Sequence, residues 1–428
     1  MSWLILVPLV VIVICFILRV PIAFALFGGA MSYMIASGGS LSTITDVVMG
    51  NLYANTTLIA APLFIFTANI MSSSKVAEYM YTWVKALFSG KRGATAYMNI
   101  IASLIFAGMS GSAVADAAGT GSMEIEEMVK DGYDPPFSCA MTAATAVLGP
   151  IFPPSIQMVI FAMLTGASVG SLFMGGVMPA FLMTVAMMVY VWYIARKRNY
   201  PCGPKFTLKE FAKFTWHALP ALGTPIILLG GIYSGVVTTT ESGVLAGTYA
   251  ILISVFAYKV LGPKELIESI KDTVIQSGVV IGTLASSFAL SYVAARCGLG
   301  KALAELVLGF TQSPLVFMMM VNLIFLIAGM FVPTEISTFV ITPLLIPIVN
   351  ELEINLVYFG VVTSINIILG NVTPPFGFLC FVVSGMMRVD LGKIFKEILP
   401  FVIAMYIILI ILTIFPDIIL FIPNLMAR

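Results

Sequence analysis

The chain has 428 residues, of which 60% are apolar and 10% charged, with a mean hydropathy of +1.06 and a formal net charge of +1. Soluble domains run about 45–50% apolar and about 25% charged, so this chain has too few charges to cover a water-facing surface and belongs in lipid. The small net charge excludes a nucleic-acid-binding face, and five scattered cysteines with one histidine offer neither a zinc spacing nor a disulfide framework.

The apolar runs are continuous rather than alternating, so the spanning elements are helices and not barrel strands. Ser2–Leu18 is the first span. It lacks a basic leader and an obvious cleavage site, so it is expected to be retained. Arg19-Val20-Pro21 breaks it before Ile22–Ile35, and a polar connector, Ser37–Asn55, leads to Leu58–Met71. Ser72–Gly90 is amphipathic and suited to lie along the interface between outer and inner helices. Ala94–Ala107 runs into a Gly/Pro-interrupted tract, followed by the Leu172–Ala195 span. The tract RKRNYPCGPKFTLKEFAK then carries six Lys/Arg between Arg196 and Lys213, which marks a cytoplasmic loop near the midpoint. The second half takes His217–Val237, Glu241–Val260, a polar amphipathic stretch at Lys264–Lys271, Thr273–Ala295, Leu315–Met330, a second interrupted tract and a last span, Ile398–Phe415. This makes ten or eleven full spans plus two interrupted regions. The chain divides into a first half (1–195, with its interrupted part at 94–168), the basic loop (196–213) and a second half (214–428, with its interrupted part at 315–388).

The two interrupted tracts are copies at one offset. Adding 221 carries Ala107-Gly108-Met109 to Ala328-Gly329-Met330, Leu148-Gly149 to Leu369-Gly370, Pro153-Pro154 to Pro374-Pro375 and Pro179 to Pro400. Each copy has a span ending in Ala-Gly-Met and a short tip, Ser110-Gly111-Ser112 or Pro333-Thr334-Glu335. A second arm then runs to Met123 or Ile348, and an apolar helix follows that is broken at Gly149–Pro154 or Gly370–Pro375. That grammar predicts two re-entrant hairpins and two broken helices. An odd number of crossings per half would invert the copies relative to each other.

Irregular backbone at membrane depth is tolerated only where it is buried in protein or lines a watery cavity. A double proline removes two N–H donors, so carbonyls on the preceding turn lose their partners and become hard oxygen ligands for an alkali cation. Ser110, Ser112, Thr334 and Thr373 can add hydroxyl oxygens, and half-helix N-termini at Ser155 and Phe376 favour an anion. Paired interrupted segments in corresponding positions point to the binding site of a secondary transporter. Ordinary proline kinks are the plainer reading, but two double-proline breaks in register with two tips weigh against it. Asp116, Glu241 and Glu335 are acids in apolar surroundings and default to functional candidates, although Asp116 and Glu241 are better placed to satisfy neighbouring backbone. Gly108-Met109-Ser110-Gly111 also spells the GxSG of intramembrane serine proteases. The only histidine, His217, follows the cytoplasmic loop, far from a mid-membrane tip, so an enzyme is not expected.

At the first tract GSAVADAAGTGS, MVKDGY and LGPIFPPSIQMVIF, and at the second VPTE and LGNVTPPFGFLCFVV, the chain resembles the large membrane subunit of tripartite ATP-independent periplasmic (TRAP) transporters, the DctM-like family, over its whole length. Its sialic-acid branch looks nearest, though C4-dicarboxylate members share these motifs. The resemblance implies an all-helical importer of the elevator type in the bacterial inner membrane, with inverted repeats, driven by sodium rather than by any enzymatic cofactor. It implies two partners: a small four-helix membrane subunit, expected as a separate chain since nothing precedes the first span, and a periplasmic substrate-binding protein. Carried onto this sequence, one sodium site lies between Ser110, Ser112 and the carbonyls of Gly149, Phe152 and Pro154. A second lies between Pro333, Thr334 and Gly370, Thr373 and Pro375. Ser112, Ser155, Thr334 and Asn371 are the expected contacts to an organic-acid substrate. The second tip lacks the Ser-Gly-Ser of the first, which puts equal chemistry at the two sites in doubt. A stand-alone sodium/divalent-anion symporter is the alternative.

Overall fold

The computed structural model describes residues 4, 6–54, 56–73, 76–332 and 334–426. Every regular element among them is helical, apart from one isolated antiparallel bridge between Arg92 and Cys202. Six helices are long and apolar enough to cross a bilayer: Val169–Lys197, Leu208–Tyr233, Thr239–Ala257, Pro263–Arg296, Pro314–Phe331 and Leu391–Ile414. Several further apolar helices are shorter, among them Ile22–Ala36, Ile156–Thr165, Leu356–Gly370 and Phe378–Met387, so fewer full-length spans are seen than the apolar runs suggest. Proline and glycine cut those runs into pieces that a hydropathy count does not resolve.

The offset of the sequence repeat is also an offset of backbone conformation. The second arm of the first copy is helical from Ala113 to Lys130 through a π-helical turn at Asp116–Thr120, and that of the second is Thr334–Glu351. Both arms therefore extend beyond the expected Met123 and Ile348, because the residues there are good helix formers and nothing caps the helix earlier. Each ends in the same left-handed C-cap. Tyr133 N–H reaches Met128 O at 3.0 Å and Ile354 N–H reaches Val349 O at 2.9 Å. The left-handed position is Gly132 (φ 91°) in one copy and Glu353 (φ 52°) in the other. Pro135–Ala146 and Leu356–Gly370 follow. Both copies then carry a cis Pro-Pro, Pro153-Pro154 and Pro374-Pro375, before short second half-helices, Ile156–Thr165 and Phe378–Met387. Pro179 and Pro400 lie inside the next long helices, Val169–Lys197 and Leu391–Ile414.

Two linear expectations fail for a tertiary reason. Ser42–Ala54, within the expected polar connector, is a helix whose Ile44 and Val48, one turn apart, are buried against Tyr33, Met34, Ala289 and Val293. Lys264–Lys271 is not a separate stretch but the start of the 34-residue helix Pro263–Arg296, with Glu265 closing a capping box on Gly262 N–H at 3.0 Å. The amphipathic stretch after Ser72 contains the helix Val76–Leu87, which buries Met80, Tyr81 and Val84 and offers Lys85 to Glu127 at 2.6 Å.

The core centres on the two broken helices. Leu356–Gly370 is buried from Tyr358 onward, and Pro135–Ala146 from Phe137 onward. The basic loop is tied down beside them: Arg198 meets Glu397 at 2.9 Å through both guanidinium-facing oxygens and Asp134 at 3.4 Å. Against the effect of burial, the Glu397 carboxylate and Tyr200 hold the Arg198 guanidinium well above its usual range.

Candidate functional site

The first tip is made by two local devices. The Ala94–Ser110 helix ends on Gly111, whose φ of 62° suits glycine, and Ser112 then caps the next arm by accepting from Ala115 N–H at 3.4 Å. The tip docks backbone-to-backbone on the first break. A methyl on Gly111 would collide with the Pro154 carbonyl oxygen, and one on Gly149 would stand 3.3 Å from the carbonyl carbon and oxygen of Ser112. Phe152 packs its ring 3.5 Å from where a Gly108 methyl would lie. Within the break, Ser155 hydroxyl donates to Pro150 O and accepts from Met158 N–H at 3.1 Å, capping the second half-helix. Among the described residues no donor meets the carbonyls of Gly149, Phe152 or Pro154. These are the three the resemblance assigns to a cation. Of Ser110 the structure describes the backbone; its side chain lies outside the described residues, as does Pro333.

The second tip docks through different groups. Gly329 and Gly370 touch directly: a methyl on Gly370 would stand 2.5 Å from Gly329 carbonyl carbon, and one on Gly329 2.5 Å from Ile367 O. Asn371 Nδ2 donates to Thr334 Oγ1 at 2.7 Å, joining the break to the tip through side chains. Gly370 O already accepts Thr373 N–H at 3.0 Å, whereas Pro375 O meets no donor among the described residues. Thr373 hydroxyl donates to Leu369 O at 2.6 Å, so the Tyr406 hydroxyl 3.4 Å away is the donor to it, and one Thr373 lone pair is left for a cation.

Both tips face one cavity of about 500 Å³. Ser112, Asp116 and Thr120 line it from the first hairpin, Glu335 and Phe339 from the second, and Ile156 from the first half-helix. Its other wall comes from helices Ala60–Ser73 and Pro263–Arg296, including Asn69, Gln276 and Thr283. Of the expected substrate contacts, Ser112 lines the cavity. Ser155, Thr334 and Asn371 lie behind it, their neighbours Ile156 and Glu335 forming the surface. Among the described residues, Asp116 and Glu335 are the only ionisable groups in the lining. Asp116 is buried and receives Thr120 hydroxyl at 3.1 Å on Oδ1, while Oδ2 meets no hydrogen-bond donor among the described residues. The two copies are joined below the tips: Gln157 Nε2 donates to Thr338 Oγ1, from the half-helix Ile156–Thr165 to the second hairpin, and Ser287 hydroxyl reaches Phe339 O at 2.6 Å from the outer helix.

The third acid lies elsewhere. Glu241 closes a capping box on Thr238, accepting its N–H at 2.8 Å and its hydroxyl at 2.9 Å. His217 is exposed, holds Lys213 O at 2.7 Å and stacks on Tyr79, in the first half of the Leu208–Tyr233 helix. What sequence reasoning missed is the amide wall, Asn69 and Gln276, and the Gln157–Thr338 bridge. An amide inside an apolar run is the signal that could have found all three.

Sequence and fold comparisons agree. The family described as "Tripartite ATP-independent periplasmic transporter, DctM component" matches residues 9–418. A Haemophilus influenzae protein named sialic acid TRAP transporter permease protein SiaT is 35% identical over 98% of this chain and 68% of its own length. A Vibrio cholerae protein named sialic acid TRAP transporter large permease protein SiaM is 33% identical over 95% of each. A Pseudomonas aeruginosa protein named C4-dicarboxylate TRAP transporter large permease protein DctM is 32% identical over 92% of each. Among solved structures, the Alcanivorax borkumensis YdaH transporter shares the fold with a TM-score of 0.65, at 13% identity, over 87% of this chain and 88% of that one.

Proposed function

This chain belongs to the tripartite ATP-independent periplasmic transporter family as a DctM-type large permease subunit, and from that premise we propose that it imports an organic acid, driven by sodium, with sialic acid as the leading substrate. The membership is that of a multi-pass membrane transporter; the bacterial inner membrane follows from the family. The working assembly adds a small four-helix membrane subunit and a periplasmic binding protein that delivers the acid.

The observation that carries sodium coupling is the charge of the cavity. Its ionisable lining is two carboxylates, Asp116 and Glu335, with no basic side chain. Such a space offers a cation acid oxygens and offers a free carboxylate no positive charge to meet it. An anionic cargo enters it favourably only with cations beside it, and that mutual requirement is coupling. One sodium ion would sit by Ser112 and the open carbonyls of Gly149, Phe152 and Pro154; Ser110 completes the expected set. The other would sit by Thr334, Thr373 and the open carbonyl of Pro375, with Gly370 at its edge; Pro333 is the remaining member of the expected set and lies outside the described residues. Gly370 O has only its second lone pair to give. Ser155 and Asn371 act on the substrate side by fixing the half-helix ends behind the cavity.

Movement follows from where the cavity lies. One wall belongs to the interrupted tracts and the other to Ala60–Ser73 and Pro263–Arg296, so sliding the first against the second, as an elevator, would carry the site across. An odd number of crossings in each half would set the two copies of the 221-residue repeat in opposite orientation. The test is uptake of radiolabelled sialic acid into liposomes holding the permease, its small subunit and the binding protein. Uptake should collapse when external sodium is replaced by choline, and sodium-independent uptake overturns the coupling. Equal uptake without the soluble partner would favour the stand-alone symporter reading. A C4-dicarboxylate transported in place of sialic acid would correct the substrate alone.

A further inference from the structure

A second cavity, of about 370 Å³, lies away from the transport site at the end of the membrane domain that carries the basic loop. Phe88, Lys91, Arg92 and Tyr97 line one side, and Met188, Trp192, Ala195 and Arg196 the other. We propose that this cavity binds the phosphate headgroup of an anionic phospholipid.

Three cations converge on it, and no acidic side chain is in the lining. Among the described residues none of the three meets a carboxylate. They are held in place by other means: Arg196 lies 3.9 Å from the centroid of the Trp192 ring, Lys91 5.5 Å from that of Phe88, and Arg92 Nη1 donates to Asn199 Oδ1 at 3.1 Å. These contacts fix the charges without neutralising them. The backbone below is also fixed. Gly93 N–H reaches Pro201 O at 3.1 Å and Gly203 N–H reaches Lys91 O at 3.0 Å, so the central loop laces the 91–93 tract to the floor of the pocket.

Position separates a lipid from a free anion. Phe181, Val185, Val189 and Trp192 recur at helical spacing along Val169–Lys197 and are all exposed, Phe181 and Val189 by 57% and 61%. This apolar stripe faces the bilayer and runs straight into the pocket, where Arg196 is the next turn. An acyl chain laid along Phe181 and Val185 brings its headgroup to Arg196, Arg92 and Lys91 in the basic interfacial layer, where clustered Lys/Arg attract anionic lipid and Trp marks the boundary. The corresponding helix of the second copy, Leu391–Ile414, ends in Leu412-Thr413-Ile414 without a basic residue, so the pocket belongs to one half only.

The probe is phosphatidylglycerol brominated on its acyl chains, titrated into phosphatidylcholine nanodiscs holding the full chain. The signal is quenching of the tryptophan emission that a Trp192→Phe control removes. Half-saturating lipid should rise roughly 100-fold in Lys91→Gln/Arg92→Gln/Arg196→Gln and about fivefold in the milder Arg196→Gln, taking each basic group as an independent contact. Lys209→Gln/Lys213→Gln, in the same basic tract but outside the pocket, should leave the titration unchanged. An equal loss there means a diffuse surface charge and overturns the site. Inorganic phosphate should not displace the lipid; displacement by phosphate assigns the pocket to a free anion and overturns the lipid. A titration that Arg196→Gln does not move overturns the proposal outright.

Discussion

The two breaks share a backbone and differ in what holds them. The first is a backbone interface: glycines at 111 and 149 let the tip lie on the break, and three carbonyls are left open toward it. The second is closed by side chains. Asn371 bonds Thr334, Thr373 bonds Leu369, and Gly329 meets Gly370 without a side chain between them. The offset explains the trade. Asn371 stands where the first copy has Pro150, Thr373 where it has Phe152, and Thr334 where it has Ala113. Duplication kept the residues that bend the chain and exchanged those that line the bend. The two proposed cation sites would therefore share a position in the fold and not a ligand set.

That contrast can be broken most sharply at its paired glycines. Gly370→Ala forces a methyl to within 2.5 Å of Gly329 backbone, which cannot yield as a side chain would, so it should cost on the order of 4 kcal/mol and abolish uptake. Gly149→Ala meets Ser112 backbone only at 3.3 Å and should cost about 1–2 kcal/mol, with a measurable transport rate. Thermal unfolding of the two variants in one detergent decides it, and equal losses would mean the tips dock alike. Next in size, Asn371→Ala leaves the buried Thr334 hydroxyl without its donor and should destabilise by about 2 kcal/mol. No counterpart exists at Pro150, so an effect on unfolding confined to the second copy sharpens the asymmetry.

Smaller effects belong to the ligands themselves. Thr373→Ala and Ser112→Ala should each raise the sodium concentration for half-maximal uptake by roughly fivefold, the equivalent of one hydroxyl contact of about 1 kcal/mol. Sodium titrations that neither variant shifts would move both sites elsewhere. Ser155→Ala removes an N-cap and should cost only about 1 kcal/mol, leaving sodium dependence alone. A large change in sodium affinity there would mean Ser155 faces the ion directly.

The cavity also shows why charged residues are uneven guides. Asp116, Glu241 and Glu335 look alike in sequence, each an acid among apolar neighbours. Three residues of local context separate Glu241: Thr238 at its helix start makes it a capping residue, a pattern legible without coordinates. Nothing local separates Asp116 from Glu335, which lie on different hairpins and meet only because both tips face the same space.

The sequence by itself determined the lipid environment, the helical class, the two interrupted tracts and the family, because each rests on composition or on residues that bend a chain wherever they occur. Proline lacks a donor, and glycine accepts a crowded or left-handed position at the least cost, so the offset of 221 could be read from letters. Extents were harder. Ser42–Ala54 is helical because Ile44 and Val48 have a neighbour to bury against, and Pro263–Arg296 is unbroken because its polar first turns are capped and then carried by packing. Only the tertiary structure decided which polar groups are spent on each other and which face the cavity. It turned Ser155, Thr334 and Asn371 inward, left Ser112 on the surface of the space, and brought Asn69 and Gln276 to the far wall from helices distant in sequence. A hydroxyl or an amide has the same letter whether its lone pairs are taken or free, and the partner that takes them is fixed by packing.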